Sequence, residues 1–385
     1  MDIKKSWIYI LCNIVFVLFC FCYLFYYQAD LLSLMQYTYS NGLTHYNHLW
    51  GAILIALLLL SVNIIVAKTC RKLLVFPAWT FFPASILLTF LTGGQQTEDM
   101  NLTFSFIAIV SIIVVLLYVL FSWLILNIIK TNNDIVQNDT FIKNLWINLL
   151  IVVIQFLYIC TFSNNDKLFH ARIHILQCLY EKDYDNALST ISKLDKSDTH
   201  ITTLAIYTLS KQNVLAERLF EFPLKGGSAA LLPDYVMVRK CRLNDIYNNL
   251  NLKVPNKHIY NNIEYLCHCH KVNKRTVDYI LCGYLMDKDL DSFAETITKY
   301  YDINDSLPKH YREALTLYVH SHTTPKVIFK NSIMDADFQD YQNMEREIPN
   351  ATIRRNELRK TYGNTYWYYY QYARGCNLNC VKACS

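Results

Sequence analysis

Three cysteines sit in RGCNLNCVKACS at the C-terminal end of the chain, and closely spaced thiolates are what an iron–sulfur cluster requires. A loop that gives three thiolates to three irons of a [4Fe–4S] cluster spaces them by three and then two residues and sits early in a barrel. Cys376, Cys380 and Cys384 are spaced by three and three. At i, i+4 and i+8 they stripe one face of a helix. The run CHCH at 267–270 offers four zinc donors, but neighbouring helical side chains diverge by about 100°, so four in a row cannot close one tetrahedron. Cys267 and His270 could do so only with two donors from elsewhere, such as Cys241 and Cys282, and partly buried thiol and polar side chains are the expectation. His170 and His174 in HARIH have the i, i+4 spacing of zinc-protease ligands. Ala171 stands where the general-base glutamate would follow the first histidine, so two surface histidines are expected. LKGGSAA, with Gly226 and Gly227, lacks the Gly-Lys-Ser/Thr and the preceding strand of a phosphate loop and reads as a turn. No serine nucleophile elbow or paired-carboxylate motif is present. The sequence therefore predicts no catalytic residue, no metal and no cofactor.

The elements that would position such groups fall into two halves. Five runs contain no Asp, Glu, Lys, Arg or His: Trp7–Tyr27, Leu49–Ala67, Leu73–Thr92, Leu102–Ile129 and Leu145–Phe162. At about 18 to 28 residues, each is long enough to cross a hydrocarbon core of about 30 Å. Pro77 and Pro83 make the third run the one most open to a kink or a re-entrant path. The first run is too long for a signal-peptide core and is expected to be retained. Lys4 and Lys5, then Lys68, Arg71 and Lys72, then Lys130 and Lys143 alternate with a first loop holding only Asp30 and a loop holding Glu98 and Asp99. Positive charge thus changes side with each crossing, which predicts a cytoplasmic N-terminus and, after five crossings, an exported remainder. The absence of charge inside the runs argues against a pump, because proton relays and ion paths need ionisable groups. Asn148 and Gln155, seven apart, are expected to hydrogen-bond a neighbouring helix.

Beyond residue 162 the chain holds 29 Lys and Arg against 25 Asp and Glu, an ordinary solvated balance with no basic tract for nucleic acid. Eight of the 13 cysteines lie here at uneven spacing, which predicts buried thiols, not a disulfide scaffold. Apolar residues recur at helical spacing over 167–180, 187–194, 201–209 and 216–220, then over 257–271, 275–287, 289–300, 308–320, 335–347 and 351–372. Small residues followed four later by larger ones, Ala187/Ile191, Ala216/Phe220 and Ala314/Tyr318, suggest helical hairpins. The alanines step by 29 and 98 residues, so no strict period is found. Arg354, Arg355, Arg359 and Lys360 precede TYWYYYQY, whose aromatics are expected to cap a helical core in preference to lying on a bilayer.

YEKDYDNALSTI at 180–191 resembles a tetratricopeptide repeat, with an aromatic before the second helix and alanine at the close approach. The likeness runs over 167–222 and is weaker over 275–320. It implies Tyr184, Ala187, Ile191, Ala216 and Phe220 as the seam between repeat helices. GLTHYNHLW (42–50), LPKHYREALTLY (307–318) and YGNTYWYYY (362–370) give the whole chain a resemblance to an uncharacterised family of Bacteroides-type integral membrane proteins. That resemblance implies a multi-span N-terminus, a helical C-terminal half and the inner membrane of a bacterium. The combined expectation is an all-α chain. A transmembrane block of about five spans, 1–162, precedes a tetratricopeptide-like helical-hairpin solenoid, 163–385, held on the periplasmic side. The expected function is protein–protein interaction or scaffolding at the cell envelope, with the lipid bilayer and a protein as partners and no nucleic acid. The alternative is a membrane enzyme, such as a reduced lipid-linked glycosyltransferase with Asp30 as its acid and the helical half as accessory.

Overall fold

The structure is a computed structural model and describes residues 3–40, 42–70, 74, 76–96, 102–131, 141–232, 243–254, 261–268 and 273–373. Among the described residues the chain is all-α apart from one two-residue antiparallel ladder, Gln95–Gln96 with Leu102–Thr103. It divides into two compact units, Met1–Ile173 and His174–Ser385.

In the first unit α1 (Ile3–Cys22) runs on through a π-turn, Tyr23–Tyr27. There follow α2 (Ala29–Tyr39), α3 (His48–Thr69), a 3₁₀ turn (Pro77–Phe81) leading into α4 (Phe82–Thr92), α5 (Ser105–Thr131) and α6 (Phe141–Phe162). Among the described residues four segments are long and apolar enough to cross a membrane: Trp7–Tyr27, His48–Thr69, Ser105–Asn127 and Phe141–Phe162. The run expected to span over Leu73–Thr92 yields only the turn and the eleven-residue α4. Pro77 and Pro83 stand at the starts of these two elements, where a missing N–H is tolerated. The first loop also differs from expectation. Leu31, Leu32 and Leu34 are buried, and their burial folds Ala29–Tyr39 into α2.

Although short, α4 is central. It packs against α3, α5 and α6, while its 3₁₀ turn packs against α1, α3 and α6. Ala52, Ala56, Ala78 and Ala84 lie in this core and let backbones approach closely. A neutral polar seam follows the same line. At one end Asn63 donates to Asn13 Oδ1 at 2.9 Å and accepts from the Thr80 hydroxyl at 2.7 Å. Beside it the Ala78 N–H donates to Asn148 Oδ1 at 2.9 Å, and Gln155 Nε2 donates to the Ala78 carbonyl at 2.8 Å. Ser85 donates to Gln155 Oε1. At the other end the Thr92 and Ser163 hydroxyls are 2.6 Å apart, and the Asn164 N–H donates to the Thr92 carbonyl at 2.9 Å. Both expected polar residues of α6 thus serve backbone groups that the proline-broken turn leaves open. Since Ala78 lies beside Asn148 and Thr92 beside Ser163, α4 and its turn accompany α6 for about 22 Å.

The second unit contains the last part of α7 (Lys167–Glu181), then α8 (Tyr184–Ser192), α9 (Thr199–Gln212), α10 (Leu215–Arg218), α11 (Leu243–Asn249), α12 (Asn262–Cys267) and α13 (Lys274–Met286). They are followed by α14 (Leu290–Tyr300), α15 (Lys309–Ser321), α16 (Ser332–Glu347), α17 (Ala351–Tyr362) and α18 (Tyr366–Tyr372). Polar side chains cap the helix starts: Asp183, Asp198, Asn261, Asn273, Asp289, Asn331, Asn350 and Thr365 each accept a first-turn N–H. The hairpin expected to end in a full helix near 216–220 ends instead in the one-turn α10 and a 3₁₀ turn, Leu219–Glu221. LKGGSAA forms an inward 3₁₀ turn. Gly226 and Gly227 take φ of +101° and +57°, and the following Leu231 and Leu232 are buried.

One local device recurs. Among the described residues the non-glycine positions with positive φ are Lys182, Asn213, Asn251 and Lys288, so the steps are 31, 38 and 37 residues. At each, the left-handed residue donates its N–H to the carbonyl three back, and the next residue donates to the carbonyl five back. Lys182→Leu179 with Asp183→Cys178 is repeated as Asn213→Ser210 with Val214→Leu209, Asn251→Asn248 with Leu252→Tyr247, and Lys288→Leu285 with Asp289→Tyr284. This is the Schellman closure of a helix. It ends α7, α9, α11 and α13 in the same way.

Candidate functional site

A buried polar cluster in the second unit is built on α15. His310 and Glu313, one turn apart, are both buried. The Phe220 N–H donates to His310 Nε2 at 3.3 Å, so that nitrogen is the acceptor and the ring proton is on Nδ1, which donates to Glu313 Oε2 at 2.9 Å. The Tyr366 N–H donates to the same carboxylate oxygen at 2.7 Å, and Trp367 Nε1 donates to the Glu313 carbonyl at 2.8 Å. Glu313 therefore tethers the first turn of α18, and His310 tethers the 3₁₀ turn at Phe220. The aromatic run of α18 completes the joint. Tyr366 and Tyr369 donate to the Leu285 and Met286 carbonyls at the end of α13, and both rings pack against Phe220. TYWYYYQY is thus core-forming, with Tyr366 and Trp367 buried. Both imidazole nitrogens of His310 are engaged, so the pair holds helices together and offers no free base.

A second cluster lies between α13, α14 and α15. The hydroxyls of Tyr301 and Tyr311 donate to Asp278 Oδ1 at 2.7 and 2.9 Å, and Cys282 Sγ lies 3.8 Å from the Tyr311 hydroxyl. Burial pushes the Asp278 carboxyl above the usual range, against the opposing pull of the two hydroxyls and Lys274. Burial likewise raises the Cys282 thiol well above its ordinary value, which keeps it protonated and unreactive. A carboxyl raised by folding favours the folded state most in acid, and that contribution is lost as pH rises through the folded pKa. Asp278→Asn retains the oxygen acceptor without a charge. In thermal melts it is expected to be at least as stable as wild type at pH 7, with the difference shrinking toward pH ~4. Asp278→Ala strips the buried Tyr311 hydroxyl of its acceptor and is expected to lose about 1–3 kcal/mol at either pH. A less stable Asp278→Asn at neutral pH would mean that the carboxylate charge itself is needed.

The residues singled out in the sequence are placed as follows. Ala187 and Ile191 are buried in α8, which packs against α9, and Tyr184 is half-buried at its start. Ala216 is buried in α10, which meets α13 and α15 as well as α9, and Phe220 is the ring beneath His310, Tyr366 and Tyr369. Of the proposed zinc donors, Cys282 is buried against Tyr311 while Cys267 is exposed near Tyr284. Cys241, Cys269, His270, Cys376, Cys380 and Cys384 lie outside the described residues. Among the described residues no three His, Cys, Asp or Glu side chains gather as metal donors. His174 is exposed, but His170 is half-buried with Nε2 3.1 Å from the Asn164 carbonyl. Asp30 occupies the first turn of α2, where a carboxylate complements the free amides of the helix start.

Residues 236–373 match the model of a family of unknown function (DUF6057). The matched segment includes LPKHYREALTLY and YGNTYWYYY, the two motifs that meet at Glu313, whereas GLTHYNHLW lies outside it. No curated protein and no solved structure matches the chain. Two of the four recurring turns, at Asn251 and Lys288, fall inside the DUF6057 segment, and two precede it. Sequence reasoning missed this recurrence, although one signal was available. KDYDNALSTI (182–191) and KDLDSFAETI (288–297) share Lys-Asp-x-Asp and a terminal Thr-Ile.

Proposed function

We propose that this membrane protein is a scaffold: its bundle crosses the bilayer five times and its helical repeat, on the far side from the N-terminus, binds a protein partner. The observation that carries the repeat is the helix closure recurring at Lys182, Asn213, Asn251 and Lys288. A spacing of 31 to 38 residues is that of tetratricopeptide-like helix pairs, and stacked pairs offer an extended surface to a peptide or helix. Such arrays touch only their neighbours, and α18 departs from this by reaching back to α13 and Phe220. The module is accordingly read as a short array locked at its C-terminal end. Co-purification after cross-linking in native membranes is the direct test. Recovery of no specific protein from stringently washed membranes would count against a scaffold.

The fifth crossing is inferred from the way α4 accompanies α6. Exposed aromatics agree with it. Trp7 is near the start of α1, Trp146 near the start of α6, and Trp123 next to Ser122, which bonds Trp79 in the 3₁₀ turn. Trp50 lies in the first turn of α3, and Tyr26 and Tyr27 follow the end of α1. Trp7 and Tyr26 are separated by about 29 Å of helix, the spacing of the two aromatic belts of a bilayer. With Lys4 and Lys5 cytoplasmic, the repeat would lie on the periplasmic face of a bacterial inner membrane. A reporter active only outside the cytoplasm is expected to be active when fused after Asp166 and silent after Asn133. Activity at Asn133 with silence at Asp166 would leave four crossings and a cytoplasmic repeat.

A further inference from the structure

The ends of α9 and α11 and the start of α13 border an open groove of about 520 Å³. Lys211, Lys274 and Arg275 line it against one acid, Asp245. Arg275 is held in an unusual way. Its Nε donates to Asn213 Oδ1 at 3.0 Å and Nη1 donates to Asn249 Oδ1 at 2.9 Å. Neither acceptor is a carboxylate, so the guanidinium is oriented by neutral partners that leave its remaining N–H groups unused among the described residues. Asn249 is only 5% exposed, and its amide is fixed in turn by a 2.9 Å hydrogen bond to the buried Ser210 hydroxyl. A buried polar relay thus sets the plane of one arginine at the wall of a cationic groove. Orienting a planar fork in advance is what bidentate recognition of phosphate or carboxylate needs.

We propose that this groove is an oxyanion-binding site, with Arg275 as the oriented fork, Lys274 as the second charge and the surrounding asparagine amides as neutral donors. Asn213 and Asn251, the left-handed residues of two successive helix closures, both line it, so the site is a product of the repeat's own turn geometry. This assignment stands apart from the scaffold reading, since an anion could be carried by a partner peptide or by a small molecule.

The test is isothermal titration calorimetry on the full-length protein in detergent, with sodium phosphate and separately sodium acetate at fixed ionic strength, because salt screens exposed charges. Saturable binding of one or both is expected, and their ratio separates a phosphate site from a carboxylate site. Arg275→Gln is expected to weaken binding at least about tenfold, Arg275→Lys less, and Lys274→Ala several-fold. Arg275 also joins three helix ends, so circular dichroism must accompany that variant. Lys274 is exposed and its removal is expected to leave the fold intact, so Lys274→Ala decides if Arg275→Gln unfolds. No saturable binding of either anion up to about 20 mM, an affinity of −2 to −3 kcal/mol, overturns the proposal. So does an affinity that is unchanged in Lys274→Ala.

Discussion

Replacing both Asn148 and Gln155 with leucine is expected to release α4 from the membrane bundle. Each side chain is fully buried, and together they satisfy the N–H and the carbonyl of Ala78, the residue that follows Pro77 in the 3₁₀ turn. Polar side-chain pairs between membrane helices are worth only about 0.6 kcal/mol on average, because each partner finds another when separated. A backbone group of a proline-broken turn has no such alternative, so about 1–3 kcal/mol per substitution is the better guide. Ser85 retains its bond to the Phe81 carbonyl after Gln155→Leu, so the loss is concentrated at Ala78. The double variant is expected to show an earlier midpoint in detergent-denaturation curves and a reduced signal from a reporter fused after Asp166. Ser61→Ala, at an exposed position of α3, serves as the control. A double variant that keeps both wild-type stability and reporter signal would show that the seam does not hold α4.

Ala187→Glu is the second change with a large expected effect. Ala187 is fully buried where α8 packs on α9. A longer side chain there costs roughly 1–3 kcal/mol in overpacking, and an unpaired buried charge adds several more. Against a total of about 5–15 kcal/mol for a domain, that is enough to open the α8–α9 hairpin. The variant is expected to insert normally, because the apolar helices lie upstream, yet to be cut faster by protease beyond Lys167 and to lose co-purifying partners. Lys193→Glu, on the exposed side of the helix end, should do neither. Unchanged protease resistance and partner recovery in Ala187→Glu would remove Ala187 from the seam.

The residues that made this fold legible are those whose signal is local. Long uncharged runs named four membrane-length helices, and helical spacing located α13 to α16 closely, whereas the single helix expected over 351–372 breaks at Gly363–Thr365 into α17 and α18. α2 was hidden because its buried leucines are interrupted by polar residues and tyrosines in a stretch with a single charge. Alanine spacing does not reveal the recurring helix closure, because its common element is a backbone conformation, carried by Lys at two positions and Asn at two. Between KDYDNALSTI and KDLDSFAETI the small and large residues also change places: Ala187 and Leu188 correspond to Phe293 and Ala294, all buried. Volume is kept while the motif is lost. The hub at His310 and Glu313 could not be read at all, because their partners Phe220 and Tyr366 lie 90 and 53 positions away.

The neutrality of the seam around α4 has an electrical consequence. Moving one elementary charge through a membrane field releases or absorbs about 2.3 kcal/mol per 100 mV. Asparagine, glutamine, serine and threonine side chains carry no such charge, and the apolar runs hold no Asp, Glu, Lys, Arg or His. The hydrogen bonds that hold the bundle closed therefore do not respond to the resting potential of the cell or to its collapse. On the proposed reading, the polar contacts around α4 would hold equally in an energised and a de-energised membrane.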